Sequence, residues 1–419
     1  MCIPNQRKFV RSVMYIKRHV ETAIEKSFSA FPAILITGPR QVGKSTLLLN
    51  KFKSITNITL DNPLQLLSLN QDPIEFFKFH GTPLIIDEVQ RAPECFSVLK
   101  YMIDSDRRAG MYILTGSQKY ALMKGVSESL AGRIGIIDML GLSNREIYGD
   151  SFDQPFLPTS DYLLNRQTII DLSVKELWER IHLGSMPELY ANEHMDWEQY
   201  YASYVNTYIE RDVKQLGSVG DTLAFTQFMT ALAGRTGELL NAASLARDVG
   251  VDNKTIKRWL SILQASNIIY LLQPFSLNIS KRIVKTPKVY FTDTGLVCYL
   301  CRWLTPETAA NGAMSGNLYE TFIVSEILKS YYNAGKEPDL YFFRNTDGQE
   351  VDLLFYRNGK LYPIEIKKTS SPNIKDAKHF KTLSTFFPSI DVSEGGIICN
   401  AEDIVSLGQN VKIIPFGFI

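Results

Sequence analysis

The stretch Ala33-Ile-Leu-Ile-Thr-Gly38-Pro-Arg-Gln-Val-Gly43-Lys44-Ser45 decides how the chain is read. Ala33 to Thr37 has the pattern of a short buried strand. The next eight residues fit G-x-x-x-x-G-K-[ST], and Ser45 to Asn50 continues as a helix, which is the setting this motif needs. Glycines let the loop curl so that its N–H groups face phosphate oxygens, and the helix N-terminus adds positive potential. In that setting Lys44 neutralises β- and γ-phosphates, and Ser45 reaches Mg²⁺.

Outward from this loop, Pro83-Leu-Ile-Ile-Asp87, Met111-Tyr-Ile-Leu-Thr115 and Ile134-Gly-Ile-Ile-Asp138 read as further buried strands. Alternating with helical patterns, they predict a parallel sheet with helices on both faces. Such sheets bind ligands at the carboxyl ends of their strands. Asp87 ends one strand and is expected to hold Mg²⁺, mostly through water. Glu88 beside it is expected to polarise the attacking water. An acidic pair in solvent is the bland alternative. The next strand runs into Thr115-Gly-Ser117-Gln118, where Ser117 or Gln118 senses a γ-phosphate or simply forms a turn. Ser129-Leu-Ala-Gly-Arg133 offers an arginine that either reaches a phosphate, in cis or from a neighbouring subunit, or lies on the surface.

At 419 residues the chain is long enough for two to four domains, at roughly 100–200 residues each. Hydrophobic residues are 45% and charged residues 21%, the profile of a soluble globular protein, with no apolar run long enough to span a membrane. Met1 to Val20 lacks the apolar core of a signal peptide, and Met14 is an alternative start. Five cysteines argue against a disulfide framework and for a reducing cytoplasm. The lone Cys298-x-x-Cys301 reads as core packing rather than zinc. The net charge is +1, yet Lys254 to Lys288 holds seven basic residues and no acid, leaving −6 for the remainder. Bulk charge therefore does not exclude a nucleic-acid partner.

Residues from about 160 to 240 read as helical, with Trp197, Tyr200, Tyr204 and Tyr208 as a core stripe. Ser244 to Gly250, followed by Val251 to Leu263, resembles a helix-turn-helix with Gly250 at the turn. Its second helix begins near Asn253 and exposes Lys254, Lys257 and Arg258 toward DNA phosphates. Ile268 to Phe275 reads as a wing strand, and the basic residues at 281–288 extend the positive face. A winged helix used only for protein contacts is the alternative.

The last part begins with a helix, Leu318 to Tyr331. Strand patterns follow at Leu340–Arg344, Glu350–Tyr356, Lys360–Lys367, Gly396–Cys399 and Val411–Pro415. Asn358-Gly359 is the preferred two-residue hairpin turn. If it is used, Arg357 opposes Lys360 and Asp352 opposes Glu365, with Cβ atoms about 5 Å apart. Lys367 then shares their face. Opposed carboxylates repel unless a cation lies between them, so Asp352 and Glu365 are expected to hold Mg²⁺ or Mn²⁺. Glu320 of the preceding helix is a further candidate ligand, and Lys367 orients or deprotonates the attacking water. The same register sets Glu350 opposite Lys367, where a salt bridge would neutralise the lysine.

These motifs carry a resemblance. GPRQVGKST, IIDEVQRAP, ILTGSQ, VSESLAGRIG, YIERDV, LARDVGV and KVYFTDTGL, in this order over nearly the whole chain, look like the bacterial and archaeal AAA-type ATPases with a C-terminal DUF4143 region. The resemblance implies ATP binding and hydrolysis by the first domain, with ATP held by Gly38, Pro39, Arg40, Gln41, Val42, Gly43, Lys44, Ser45, Thr46, Ser117, Gln118 and Arg133. Asp352 with Glu365-Ile-Lys367, and Glu320 on the helix, resemble the PD-(D/E)xK nuclease superfamily, although Val351 stands where that pattern has proline. The expected architecture is α/β: a P-loop parallel-sheet ATPase core at 1–155, a helical connector and winged helix at 156–300, and an α/β restriction-endonuclease-like module at 301–419. The expected function is a cytoplasmic, ATP-driven, DNA-binding enzyme that cleaves DNA, with a homo-oligomer or protein partner possible. The alternative is an ATP switch whose nuclease-like module is catalytically silent.

Overall fold

A computed structural model describes residues 15–117, 122, 126, 129–166, 169–208, 222–277, 286–408 and 410–419. The loop quoted above sits between strand β1 (Ala33–Thr37) and the helix Lys44–Lys51. Four more strands complete an all-parallel sheet: β2 (Thr56–Thr59), β3 (Leu84–Asp87), β4 (Tyr112–Thr115) and β5 (Ile134–Asp138). Their order is β2-β3-β4-β1-β5, so β4 lies between β1 and β3. β1 and β4 are buried along their whole length, as a strand covered on both faces requires. β2 escaped the sequence reading because only Ile58 of its four residues is buried.

The middle region is helical. Helix Trp197–Tyr208 buries Tyr200, Tyr204 and Tyr208, which stack with centroids 6.4 and 6.5 Å apart, so the expected aromatic stripe is core. Helices Ala242–Val249 and Asn253–Ala265 meet at Gly250, whose φ of 76° is the left-handed value a tight helix end favours. Asp252 caps the second helix.

Strands β6 (Ile269–Pro274) and β7 (Lys288–Phe291) are antiparallel, and here the structure departs from the expected partition. β6 also pairs in parallel with β8 (Leu340–Arg344), through Gln273↔Tyr341 and Pro274↔Phe342. The expected wing strand thus joins a nine-stranded sheet. That sheet continues through β9 (Glu350–Arg357), β10 (Lys360–Ile366), β12 (Gly395–Cys399), β14 (Val411–Pro415) and β13 (Val405–Gly408), with β11 (Asp391–Val392) beside β10. A boundary at 300/301 cuts through hydrogen-bonded structure. Helix Ser315–Asn333 packs on this sheet, and one apolar core runs from Ile34 beneath the phosphate loop to Ile419.

Candidate functional site

The phosphate loop is built by its glycines. Gly38 has φ 143°, and a Cβ there would lie 2.0 Å from the Met139 carbonyl oxygen. Gly43, at φ 91°, precedes the helix that Lys44 opens. Val42 is buried, whereas Gln41 and Thr46 are exposed. Lys44 is buried in the mouth of the loop, its Nζ 2.9 Å from the Gly38 carbonyl and 2.7 Å from that of Pro39.

The interposed β4 brings three strand ends together. Ser45 Oγ donates to Asp87 Oδ2 at 2.8 Å, and Thr115 Oγ1 donates to Asp87 Oδ1. Two hard oxygen donors on the loop face suit Mg²⁺. Glu88 has φ 60°, which turns it out of the strand direction, and the Gln90 amide donates to its carboxylate. Burial, and then the charge of Asp87, raise the Glu88 pKa, while Lys44 and Arg40 oppose this. Ser117 Oγ is buried without a hydrogen-bond partner among the described residues. Gln118 lies outside the described residues.

Arg133 is corrected as a contact in cis. Its carbonyl accepts from Ala33 N at the start of β1, whereas the loop follows Thr37 at the other end. Five strand residues put about 13 Å between those edges. The guanidinium is held by Asp104 at 2.7 and 3.1 Å.

Sequence reasoning missed Arg18. It is buried, donating to the Val42 carbonyl at 2.8 Å, to the Leu140 carbonyl at 2.8 Å and to Glu146 at 2.9 Å. No local pattern announces it, because these partners are far away in the chain. Thr115 and Gln90, which hold Asp87 and Glu88, stood within quoted motifs without an assigned role.

In the C-terminal module the hairpin has the expected register, Lys360↔Arg357 through Ile364↔Leu353, and Lys367 contacts both Asp352 and Glu365 just beyond it. Asp352 Oδ2 accepts from Ile366 N at 2.9 Å. Lys367 Nζ lies 2.7 Å from Glu365 and 3.3 Å from Asp352. Glu365 is buried, and its Oε1 has no partner among the described residues. Burial, and then Asp352, push its pKa up to about 9.

Glu320 behaves differently from expectation. Its carboxylate accepts from Tyr290 and from Lys288, 3.2 Å away, and burial raises its pKa. Lys288 Nζ also lies 2.6 Å from Glu350, and Arg344 lies 3.0 Å from the same residue. The anticipated Glu350–Lys367 pair is replaced by these contacts. Lys288 is buried rather than part of a positive surface. Among the described residues no three His, Cys, Asp or Glu side chains form a metal-holding group, and Glu320 is held by Lys288 and Tyr290. Cys298 is buried and Cys301 half-buried in core surroundings, without metal partners among those residues.

Lys254, Lys257 and Arg258 are all exposed on helix Asn253–Ala265. Lys281, Arg282 and Lys285 lie outside the described residues. No described helix is long and apolar enough to cross a membrane.

Comparison with known proteins gives three matches along the chain. Residues 30–148 match the AAA domain, 315–419 a domain of unknown function (DUF4143), and 174–307 another (DUF8612). Two mycobacterial chains, the uncharacterized proteins Rv2008c of Mycobacterium tuberculosis and Mb2031c of Mycobacterium bovis, are each 29% identical over 408 residues, covering 96% of this chain and 85% of theirs. Among solved structures, the Walker-type ATPase PABY2304 of Pyrococcus abyssi aligns with a TM-score of 0.44 at 16% identity, over 71% of this chain and 99% of that one. The chain carries an AAA domain and a DUF4143 domain, and its first domain is a P-loop ATPase.

Proposed function

We propose that this AAA-domain ATPase couples ATP turnover to DNA bound by the helix pair 242–265 and cleaved at the Asp352–Glu365–Lys367 centre. In the first domain Lys44 meets the β- and γ-phosphates, Ser45 and Asp87 hold Mg²⁺, and Glu88 orients the attacking water. Mg²⁺ there supplies charge neutralisation for the phosphates. Thr115 and Gln90 fix the two carboxylates.

The observation that carries the cleavage reading is the hairpin register. It sets two carboxylates beside each other with a lysine 2.7 and 3.3 Å from them. Glu365 Oε1, buried and without a hydrogen-bond partner among the described residues, is a natural oxygen ligand with Asp352 for Mg²⁺ or Mn²⁺, which supplies Lewis acidity at a phosphodiester when bound. Lys367 is placed to orient the water or neutralise charge on the phosphate. Glu320, held by Lys288 and Tyr290, acts as a positioning residue.

Purified protein tested on linear, branched and single-stranded DNA, with Mg²⁺ or Mn²⁺ and with or without ATP, checks this. Cleavage is expected from the wild type, lost in Asp352→Ala, and stripped of its ATP response in Lys44→Ala. Cleavage retained by Asp352→Ala removes the site.

One observation favours a second reading, an ATP switch with a silent C-terminal module. Lys288 and Lys367 already serve as counter-ions to Glu320, Glu350, Asp352 and Glu365. DNA binding without cleavage is its expected result. A cytoplasmic setting is supported by Cys95, Cys298, Cys301 and Cys399, all free thiols. Self-association belongs to the same proposal, with Leu64, Leu67 and Phe79 offering exposed apolar surface on the ATPase core. An arginine finger, Arg133 included, would then come from a neighbouring copy.

A further inference from the structure

We infer that the C-terminal module carries a second DNA site, a lysine-lined groove that holds the phosphodiester backbone beside the Asp352–Glu365–Lys367 centre. The inference rests on the DNA-binding reading above but uses none of the residues of the helix pair 242–265.

The groove is a cavity of about 450 Å³ between segment 374–386 and strands β10 and β12. Lys375, Lys378 and Lys381 line it, and no Asp or Glu does. All three lysines are exposed. Neighbouring lysines are already committed, Lys360 to Asp391 at 3.2 Å and Lys412 to Glu394. The three groove lysines take no carboxylate among the described residues. The one acid of the segment, Asp376, accepts from the backbone N–H of Asn373 at 2.8 Å.

Spacing fits a nucleic-acid strand. The lysines recur every three residues through a 3₁₀ turn, Ile374–Ala377, and the start of helix Phe380–Phe386. At about 1.5–2 Å of rise per residue they lie about 5 Å apart along the axis, about 10 Å in all. One DNA strand carries a charge every 3.4 Å or so of helix axis, so about three phosphates face three ammonium groups. Ser384, Ser393 and Asn410 add uncharged donors to the wall.

Position ties the groove to the carboxylate centre. Pro363, in its wall, and Glu365 are two residues apart on β10, so they share a face about 7 Å apart. His379, between Lys378 and the helix, lies in the field of both Lys378 and Lys367. A backbone seated on the lysines therefore leads toward Lys367.

The test measures binding of a 20-base-pair DNA duplex, and of the corresponding single strand, by fluorescence anisotropy over a KCl series. The variants are K375A/K378A/K381A, its charge-preserving counterpart K375R/K378R/K381R, and K254A/K257A/R258A. Loss of three phosphate contacts lowers the slope of log affinity against log salt by about 2 to 3 on duplex, and weakens binding about tenfold or more. The arginine variant keeps the wild-type slope, which separates lost charge from lost folding. An unchanged slope in K375A/K378A/K381A, with a reduced one in K254A/K257A/R258A, overturns the groove and leaves the helix pair standing. The reverse result supports the groove and removes the helix pair. No binding by the wild type overturns both.

Discussion

Glu88 shows what a single side chain must do for ATP hydrolysis. Half-buried beside Asp87, it has a pKa raised first by desolvation and then by the charge of Asp87, so it reaches neutrality at a higher pH than an ordinary carboxylate. A residue that orients water must be ionised, so the acid limb of ATP hydrolysis is expected above the usual carboxylate range. Glu88→Gln is expected to bind ATP normally while its turnover falls on the order of 10²-fold or more, measured as phosphate release against nucleotide affinity. Unchanged turnover would place the water-orienting group elsewhere. Arg18 and Glu146 form the contrasting case, a fully buried pair 2.9 Å apart beneath the loop. Burial pushes Glu146 up, but Arg18 and the Ser143 backbone outweigh it and hold the carboxyl below its ordinary pKa. Stability from this pair is therefore present above the unfolded carboxylate pKa and lost as pH falls through the lower folded value. Glu146→Gln should lose that acid-side slope and cost about 3–5 kcal/mol, read from urea melts between neutral pH and pH 3. Asp87 and Glu88 were legible in the sequence because they end a short apolar strand. Arg18 was not, since its partners Val42, Leu140 and Glu146 meet it only through the fold.

Elements, rather than residues, decide which groups meet. β4 enters between β1 and β3, and this alone sets Thr115 against Asp87. Sequence adjacency suggested a polar strand end without revealing the neighbour. The Asn358-Gly359 hairpin is the opposite case. A two-residue turn fixes the register of both strands, so the Asp352–Glu365 pairing was readable from the chain alone. β7 shows the limit of charge counting. Lys288 stands at the end of a basic stretch, yet it heads a fully buried strand and its Nζ reaches Glu320 and Glu350 across the module boundary. A lysine opening an apolar strand is a signal for burial that composition averages away. Lys288→Met leaves Glu320 without its counter-ion, while Glu350 keeps Arg344, and should lower stability by about 3–5 kcal/mol. Adding Glu320→Gln should recover part of that loss in a double-mutant cycle followed by urea melts. Purely additive losses would mean that the pair is not coupled.

At the scale of the whole molecule, hydrogen bonds tie the three sequence segments together. β6 carries hydrogen bonds from the middle region into the C-terminal sheet. Asp293 caps its own helix and accepts from Ser185 and Tyr201, while the Ser185 carbonyl accepts from Leu142 N at the edge of the ATPase core. Glu326 on the long C-terminal helix takes Asn144 N at 2.7 Å and Lys329 at 2.8 Å. The chain end returns as well, with Tyr162 and Arg145 donating to the carbonyls of Phe418 and Ile419 at 2.8 and 3.1 Å. These are buried polar contacts, and removing one partner leaves the other unsatisfied at about 1–3 kcal/mol each. A chain ending at Leu300 would strip β6 of its parallel neighbour and open the apolar core that reaches Ile419. It is therefore expected to be insoluble or to lack a cooperative melt. The full chain should unfold in one calorimetric transition whose midpoint rises with ATP and Mg²⁺, because a ligand bound only by the native state stabilises everything that melts with its site. Two separate transitions, with only one responding to ATP, would show that the ATPase core and the C-terminal module fold independently. ATP turnover would then have no rigid path to the Asp352–Glu365–Lys367 centre.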